Sequence, residues 1–178
     1  MRNLIRSRDE ALELLQELPA PAHLVRHVKL VEEAGEQLLE QLETLGVTVD
    51  SELVRMGLVL HDAGKVLNPL ELTESGSEHE AAGEQLLLEN GVQPQLARIC
   101  RLHGQWDRTE CSVEELAVAL ADALWKGTRI DSLESKFVER VAVSLKRDRW
   151  GVFLDLDACF ERIAAGGDER LGRAIQDS

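Results

Sequence analysis

Residues 53–60, LVRMGLVL, are apolar on nearly every side of a helix, and the run stops at the dipeptide His61-Asp62. A helix that is hydrophobic all round has no face to offer water, so other elements must enclose it. The chain therefore has to wrap around this stretch. Two strongly polar side chains are carried inward at its end.

The flanking segments supply that wrapping, because their apolar residues recur with helical period. Ser7 with Glu10 forms a capping-box pattern before ALELLQEL, and Pro19 and Pro21 end that helix. A long helix follows over about 22–45, with Leu24, Val28, Val31, Leu38, Leu42 and Leu45 along one face. GVTVD breaks it, and the central helix starts at about Ser51. Gly64 stands where a left-handed C-cap would close that helix. After the loop KVLNPLELTESGS, Ser77 with Glu80 makes a second capping-box pattern, opening a helix that Gly91 closes.

A shorter helix carries Leu96, Ile99, Cys100 and His103, and Ser112 with Glu115 opens the one that holds Asp122. Leu133, Phe137, Val141 and Leu145 mark another, KRDRWG interrupts it, and a last helical segment precedes AAGGDE. No stretch reads as a strand. The expectation is an all-α, compact bundle of about seven to eight helices in one domain, 1–178. Its core spans 22–127, with accessory helices over 130–178. At 178 residues the chain is long enough to bury a sizeable core.

Charge narrows the partners. With 33 acids against 20 bases the net charge is −13, which argues against polymeric nucleic acid, since that binding needs clustered Lys and Arg. A small phosphorylated substrate stays compatible, because a local metal centre outweighs a distant acidic surface. Cys100, Cys111 and Cys159 are odd in number and form no CxxC, which fits a reducing compartment. The N-terminus lacks the apolar run of a secretory signal, and no stretch reaches the roughly 18 apolar residues of a membrane span. A cytoplasmic protein with no membrane contact is expected; the oligomeric state is open.

Four of the five histidines form an ordered series with two aspartates: His27, His61, Asp62, His79, His103 and Asp122. Imidazoles and carboxylates are the ligands that suit divalent metals such as Zn, Fe, Mn or Ni. At about 100° per residue, His27 falls on the Leu24/Val31/Ala34 side of its helix, whereas His23 lies nearer the edge. His79 shares a stripe with Ala82, Gly83 and Leu86, His103 with Leu96, Ile99 and Cys100, and Asp122 with Val118, Ala121 and Trp125. One inward histidine is commonly a hydrogen-bonded core residue. Four imidazoles and two carboxylates buried together without a cation would be costly.

This order, H…HD…H…H…D with the doublet in the form HDAGK, resembles the HD-domain superfamily of metal-dependent phosphohydrolases from His27 to Asp122, over half of the chain. The resemblance implies an HD-domain-like helical bundle and two divalent ions, whether Fe, Mn, Co, Ni, Zn or Mg. His27, His61, Asp62 and Asp122 would hold the first ion. His79 and His103 would hold the second, with Asp62 bridging both and therefore central to catalysis. The implied reaction is hydrolysis of a phosphomonoester or phosphodiester of a small nucleotide-like substrate, through a metal-bridging hydroxide.

Lys65 matches the Lys of HDxGK and is a catalytic and substrate-phosphate candidate, or else a surface Lys at a helix C-terminus. Lys126, four residues after Asp122, is a second phosphate candidate. Arg26 and Arg101 neighbour ligands in sequence but point elsewhere on their helices. Glu80 fits the capping box better than a proton-carrying role, and Trp106 fits packing better than stacking on a base. No GYP element follows His79 or His103, the chain has no tyrosine, and no synthetase domain of the alarmone enzymes is present. Two other readings stay open: a di-iron oxygenase of the HD type, which uses the same ligand types, and a non-catalytic ligand-binding module.

Overall fold

Nine α-helices and two 3-10 turns make up the regular structure of residues 4–176, which this computed structural model describes; no strand occurs among them. They are α1 (Arg8–Glu17), α2 (Ala22–Thr44), α3 (Ser51–Leu60), α4 (Glu78–Glu89), α5 (Pro94–Gln105), α6 (Val113–Leu124), α7 (Asp131–Leu145), α8 (Arg149–Ala165) and α9 (Gly167–Gln176). The 3-10 turns, Ala63–Val66 and Pro69–Leu72, lie between α3 and α4. The all-α expectation holds, and α9 adds a helix that begins within AAGGDE, at Gly167.

α3 occupies the centre, packed by α1, α2, α5 and α6. It buries Leu53, Val54, Met56, Leu58, Val59 and Leu60, so its apolar surface is enclosed all round. Each such side chain contributes about 1.5–3 kcal/mol when fully buried. His61 is the C-cap residue of α3 and is completely buried. The strongest hydrophobic segment thus delivers the His-Asp pair to the interior.

Local chemistry agrees with the sequence at some helix starts and not at others. Ser112 and Glu115 complete a full capping box on α6. On α1, Ser7 Oγ accepts from the Glu10 backbone, while the Glu10 carboxylate turns to the Arg6 backbone N–H instead of Ser7. The expected box on α4 does not form. Ser77 gives no side-chain cap; the Glu71 carboxylate, from the preceding 3-10 turn, accepts from the backbone N–H groups of Glu78 and His79, each at 3.1 Å. Glu80 is buried and accepts from Gln105 Nε2 at 2.8 Å. A charged carboxylate on a helix N-terminus outcompetes a serine hydroxyl through the helix dipole.

Gly64 is also not the left-handed cap expected from sequence. Gly46, Gly91 and Gly127 have positive φ; Gly64 does not, and it lies within the 3-10 turn Ala63–Val66. Its role is steric. A Cβ there would overlap the carbonyl oxygen of His79 and come 2.7 Å from the Gly83 nitrogen. The bare glycine lets the turn carrying Asp62 lie directly on α4.

The C-terminal helices pack on the rest of the bundle, α7 on α6 and α8 on α2. Buried Arg170, on α9, donates from Nε to Trp125 O at 2.6 Å, and from Nη2 to Leu124 O at 3.2 Å and to Ile163 O. It thereby gathers carbonyls at the ends of α6 and α8, where helical partners run out; Leu124 O and Ile163 O also accept from the Gly127 and Gly166 N–H groups. Arg173 forms a two-point ion pair with Glu33 of α2.

Candidate metal centre

The six residues read from the sequence come together from five helices. His27 projects from α2, His79 from α4, His103 from α5 and Asp122 from α6, while His61 and Asp62 stand at the end of α3. They form two groups: His27, His61 and Asp122, and Asp62, His79 and His103.

Asp62 stands between the groups and faces each with a different oxygen. Its Oδ2 lies 3.0 Å from His27 Nε2 and 3.5 Å from His61 Nε2. Asp122 Oδ1 completes that side, 3.6 Å from His27 Nε2 and 3.5 Å from His61 Nε2. Asp62 Oδ1 lies 3.2 Å from His79 Nε2 and 3.5 Å from His103 Nε2.

The far sides of three imidazoles fix which nitrogen is free. His61 Nδ1 donates to Leu58 O at 2.8 Å and His103 Nδ1 to Cys100 O at 2.7 Å. A carbonyl only accepts, so in each neutral ring the proton sits on Nδ1 and the lone pair of Nε2 points inward. His79 Nδ1 is held the same way by the Glu71 carboxylate. Outer partners of this kind orient metal-binding histidines.

The donor set fits cations. Asp62 is 2% exposed, and its Oδ1 has no hydrogen-bond partner among the described residues. That buried oxygen confronts the bare Nε2 atoms of His79 and His103, and those two nitrogens are themselves 3.5 Å apart. On the other side, His27 Nε2 and His61 Nε2 are 3.4 Å apart. Electron pairs converging at this range need positive charge between them.

The titration of these groups follows the same electrostatics. Burial opposes ionisation of Asp62, but the imidazoles of His61, His27 and His79 around it outweigh burial and hold the carboxyl well below its ordinary value. Burial likewise opposes the charge on Asp122, and His61 overcomes it in the same direction. In His61 and His79 burial disfavours the imidazolium, yet Asp62, with Asp122 or Glu71 respectively, raises both above the usual imidazole range. His103 has burial and neighbouring His61 against it and falls to about 4. The carboxylates stay ionised and His103 stays neutral, as metal coordination requires, while His61 and His79 favour a proton that a bound divalent ion would displace.

An HD domain model matches residues 23–125, a span that holds all six residues and more than half of the chain. The chain belongs to the HD-domain family. That family is typical of metal-dependent phosphohydrolases, and the residues gathered here can hold divalent metal. This HD protein is also 31% identical over 151 residues to an uncharacterized protein of Methanocaldococcus jannaschii, a match covering 75% of this chain and 85% of the relative. No solved structure matches it.

The remaining candidates of this HD domain fall into distinct places. Lys65 Nζ donates to Asp62 Oδ2 at 2.7 Å, so it belongs to the cluster's rim. Lys126 is exposed in the turn after α6 and takes no part in the cluster's contacts among the described residues. His23 is exposed, in keeping with the choice of His27. Arg101 turns to Glu84 at 2.6 Å, and Trp106 packs against the core. Glu71 escaped sequence reasoning. It lies eight residues before His79 in the short 3-10 turn Pro69–Leu72, and Ser77 offered a more conventional cap. Trp125 was read as a stripe residue only; its ring stands edge-on to His27 at 5.0 Å.

No helix of the described residues is long and apolar enough to cross a membrane.

Proposed function

We propose that this HD protein is a dinuclear metal phosphohydrolase that cleaves a phosphomonoester or phosphodiester bond of a small, nucleotide-like substrate in the cytoplasm. One observation carries the reading: the two oxygens of buried Asp62 face two separate ligand groups. Two divalent ions in such a site activate water and polarise a phosphoryl oxygen, so no protein nucleophile is needed.

The chain's own residues divide the remaining work. His27, His61, Asp62 and Asp122 are assigned to one ion, and His79 and His103 to the second, with Asp62 shared. The site has an open side: the side chains of His27 and Asp122 are 20% and 26% exposed, whereas His61 is fully buried and His79 and His103 nearly so. Substrate phosphate enters over that rim, where Lys65 supplies a cation. Lys126, exposed beyond α6, is assigned to the more distant part of a charged substrate. The one thiol in contact with the ligand segment is unsuited to attack. Cys100 is buried, bonded to His61 O at 2.9 Å, and its pKa is pushed up to about 12 by burial.

The test is phosphate release from nucleoside monophosphates, cyclic nucleotides and dinucleotides by protein reconstituted with Mn, Co, Fe or Zn. Turnover by wild type and at least a thousandfold loss in a folded Asp62→Asn variant is expected. Undiminished turnover in that variant overturns the assignment, and iron-dependent O₂ consumption without phosphate release moves it to the oxygenase class.

A further inference from the structure

We propose that Glu71 is the positioning residue for the second metal ion, setting its affinity through His79 while leaving the first ion's affinity unaffected. This rests on the two-ion reading above. Glu71 belongs to the 3-10 turn Pro69–Leu72, outside the six-residue ligand set, and contacts only the His79 side of the centre.

Three bonds converge on its carboxylate. Oε1 accepts from Glu78 N–H at 3.1 Å, and Oε2 accepts both from His79 N–H at 3.1 Å and from His79 Nδ1. The first two bonds fix the carboxylate against the N-terminus of α4. The third fixes the imidazole. His79 Nδ1 thus keeps its proton, and the unprotonated Nε2, 3.2 Å from Asp62 Oδ1, faces the centre with its lone pair. His61 and His103 obtain the same service from backbone carbonyls of their own helices, three residues earlier. At the first turn of α4 no such helical carbonyl precedes His79, so a side chain from the loop takes the place of the backbone.

The loop is shaped to admit that side chain. A Cβ at Gly76 would overlap the Glu71 carboxylate and lie 2.7 Å from its Cγ. Gly76 therefore leaves the room that Glu71 occupies. An ordered Pro69–Gly76 loop and a well-aimed His79 are one structural state.

Mn(II) binding to metal-free protein, measured by equilibrium dialysis, separates the possibilities. Wild type is expected to bind two ions. In Glu71→Gln and Glu71→Ala the second affinity falls about 10- to 100-fold and the first stays within twofold. Gly76→Ala, which keeps the carboxylate but crowds it, shows a smaller loss in the same site. Adding Ser77→Asp to the Glu71→Ala background supplies a cap to α4 without an imidazole partner, and second-site affinity stays low. Recovery in that double variant overturns the proposal, because Glu71 would then act only as a cap. So does second-site affinity unchanged in the single variants. Histidine ¹⁵N spectra of metal-free wild type give a check that needs no variant: His79 carries its proton on Nδ1, and a proton on Nε2 contradicts the proposal. Wild type that binds one Mn(II) defeats the two-ion reading itself, a different failure.

Discussion

Lys65 Nζ lies 2.7 Å from Asp62 Oδ2, the oxygen that also approaches His27. The ammonium therefore sits beside the proposed first ion and near the open side of the centre. It is anchored at its root by the short 3-10 turn that Gly64 allows to pack on α4. A cation there serves an incoming phosphate by a charge-assisted hydrogen bond.

Replacing Lys65 separates that role from support of Asp62. Lys65→Met is expected to retain both metals and to lose about 10- to 100-fold in kcat/KM, the equivalent of roughly 1.5–3 kcal/mol for a charged hydrogen bond. Steady-state kinetics together with metal content on the same preparation make the check. Loss of metal with the activity would show that Lys65 serves chiefly to hold Asp62.

Glycines 64 and 172 are predicted to respond in opposite directions. A methyl at Gly64 meets backbone atoms of His79 and Gly83, which cannot rotate away, so Gly64→Ala costs about 2–3 kcal/mol by overpacking. Gly172, in α9, has nothing within 4 Å of a built Cβ. Gly172→Ala is therefore stabilising by about 0.5–1 kcal/mol from helix propensity. Urea midpoints of the two variants against wild type decide both.

The C-terminal helix offers a second contrast. Arg170→Met leaves the carbonyls of Leu124, Trp125 and Ile163 without their buried guanidinium and is expected to cost about 3 kcal/mol. Arg173→Ala removes only an exposed pair with Glu33 and Glu169, and less than about 1 kcal/mol should follow. Equal effects in denaturant titrations would mean that α9 is held by something other than Arg170.

The sequence made the inner ring of this centre legible because the side chains that bind metal are scarce and sat on apolar faces. His27 was separable from His23 by its place on the stripe, and the structure leaves His23 exposed. The helix that buries His61 was readable for the same reason. Glu71 was not readable, because it reaches α4 from a loop with no period to mark its direction. Gly64 was assigned to a backbone conformation when its importance lies in a close approach across sequence. Arg170 drew no reading from sequence; its burial depends on the carbonyl ends of α6 and α8, which no local pattern reveals.

Removing metal is expected to loosen the whole molecule. Ions that bind only the folded centre stabilise it by mass action, about 2.7 kcal/mol at a hundredfold excess over Kd. A chelator should accordingly lower Tm in wild type and have little effect in Asp62→Asn. An equal drop in both would mean that the stabilising ion binds elsewhere.

Anomalous diffraction from crystals of the Mn(II)-loaded protein tests the account most directly. Two peaks about 3.5–4 Å apart, one on the His27 side of Asp62 and one on the His79 side, are predicted. A single peak confined to one group, or none at Asp62, would contradict it.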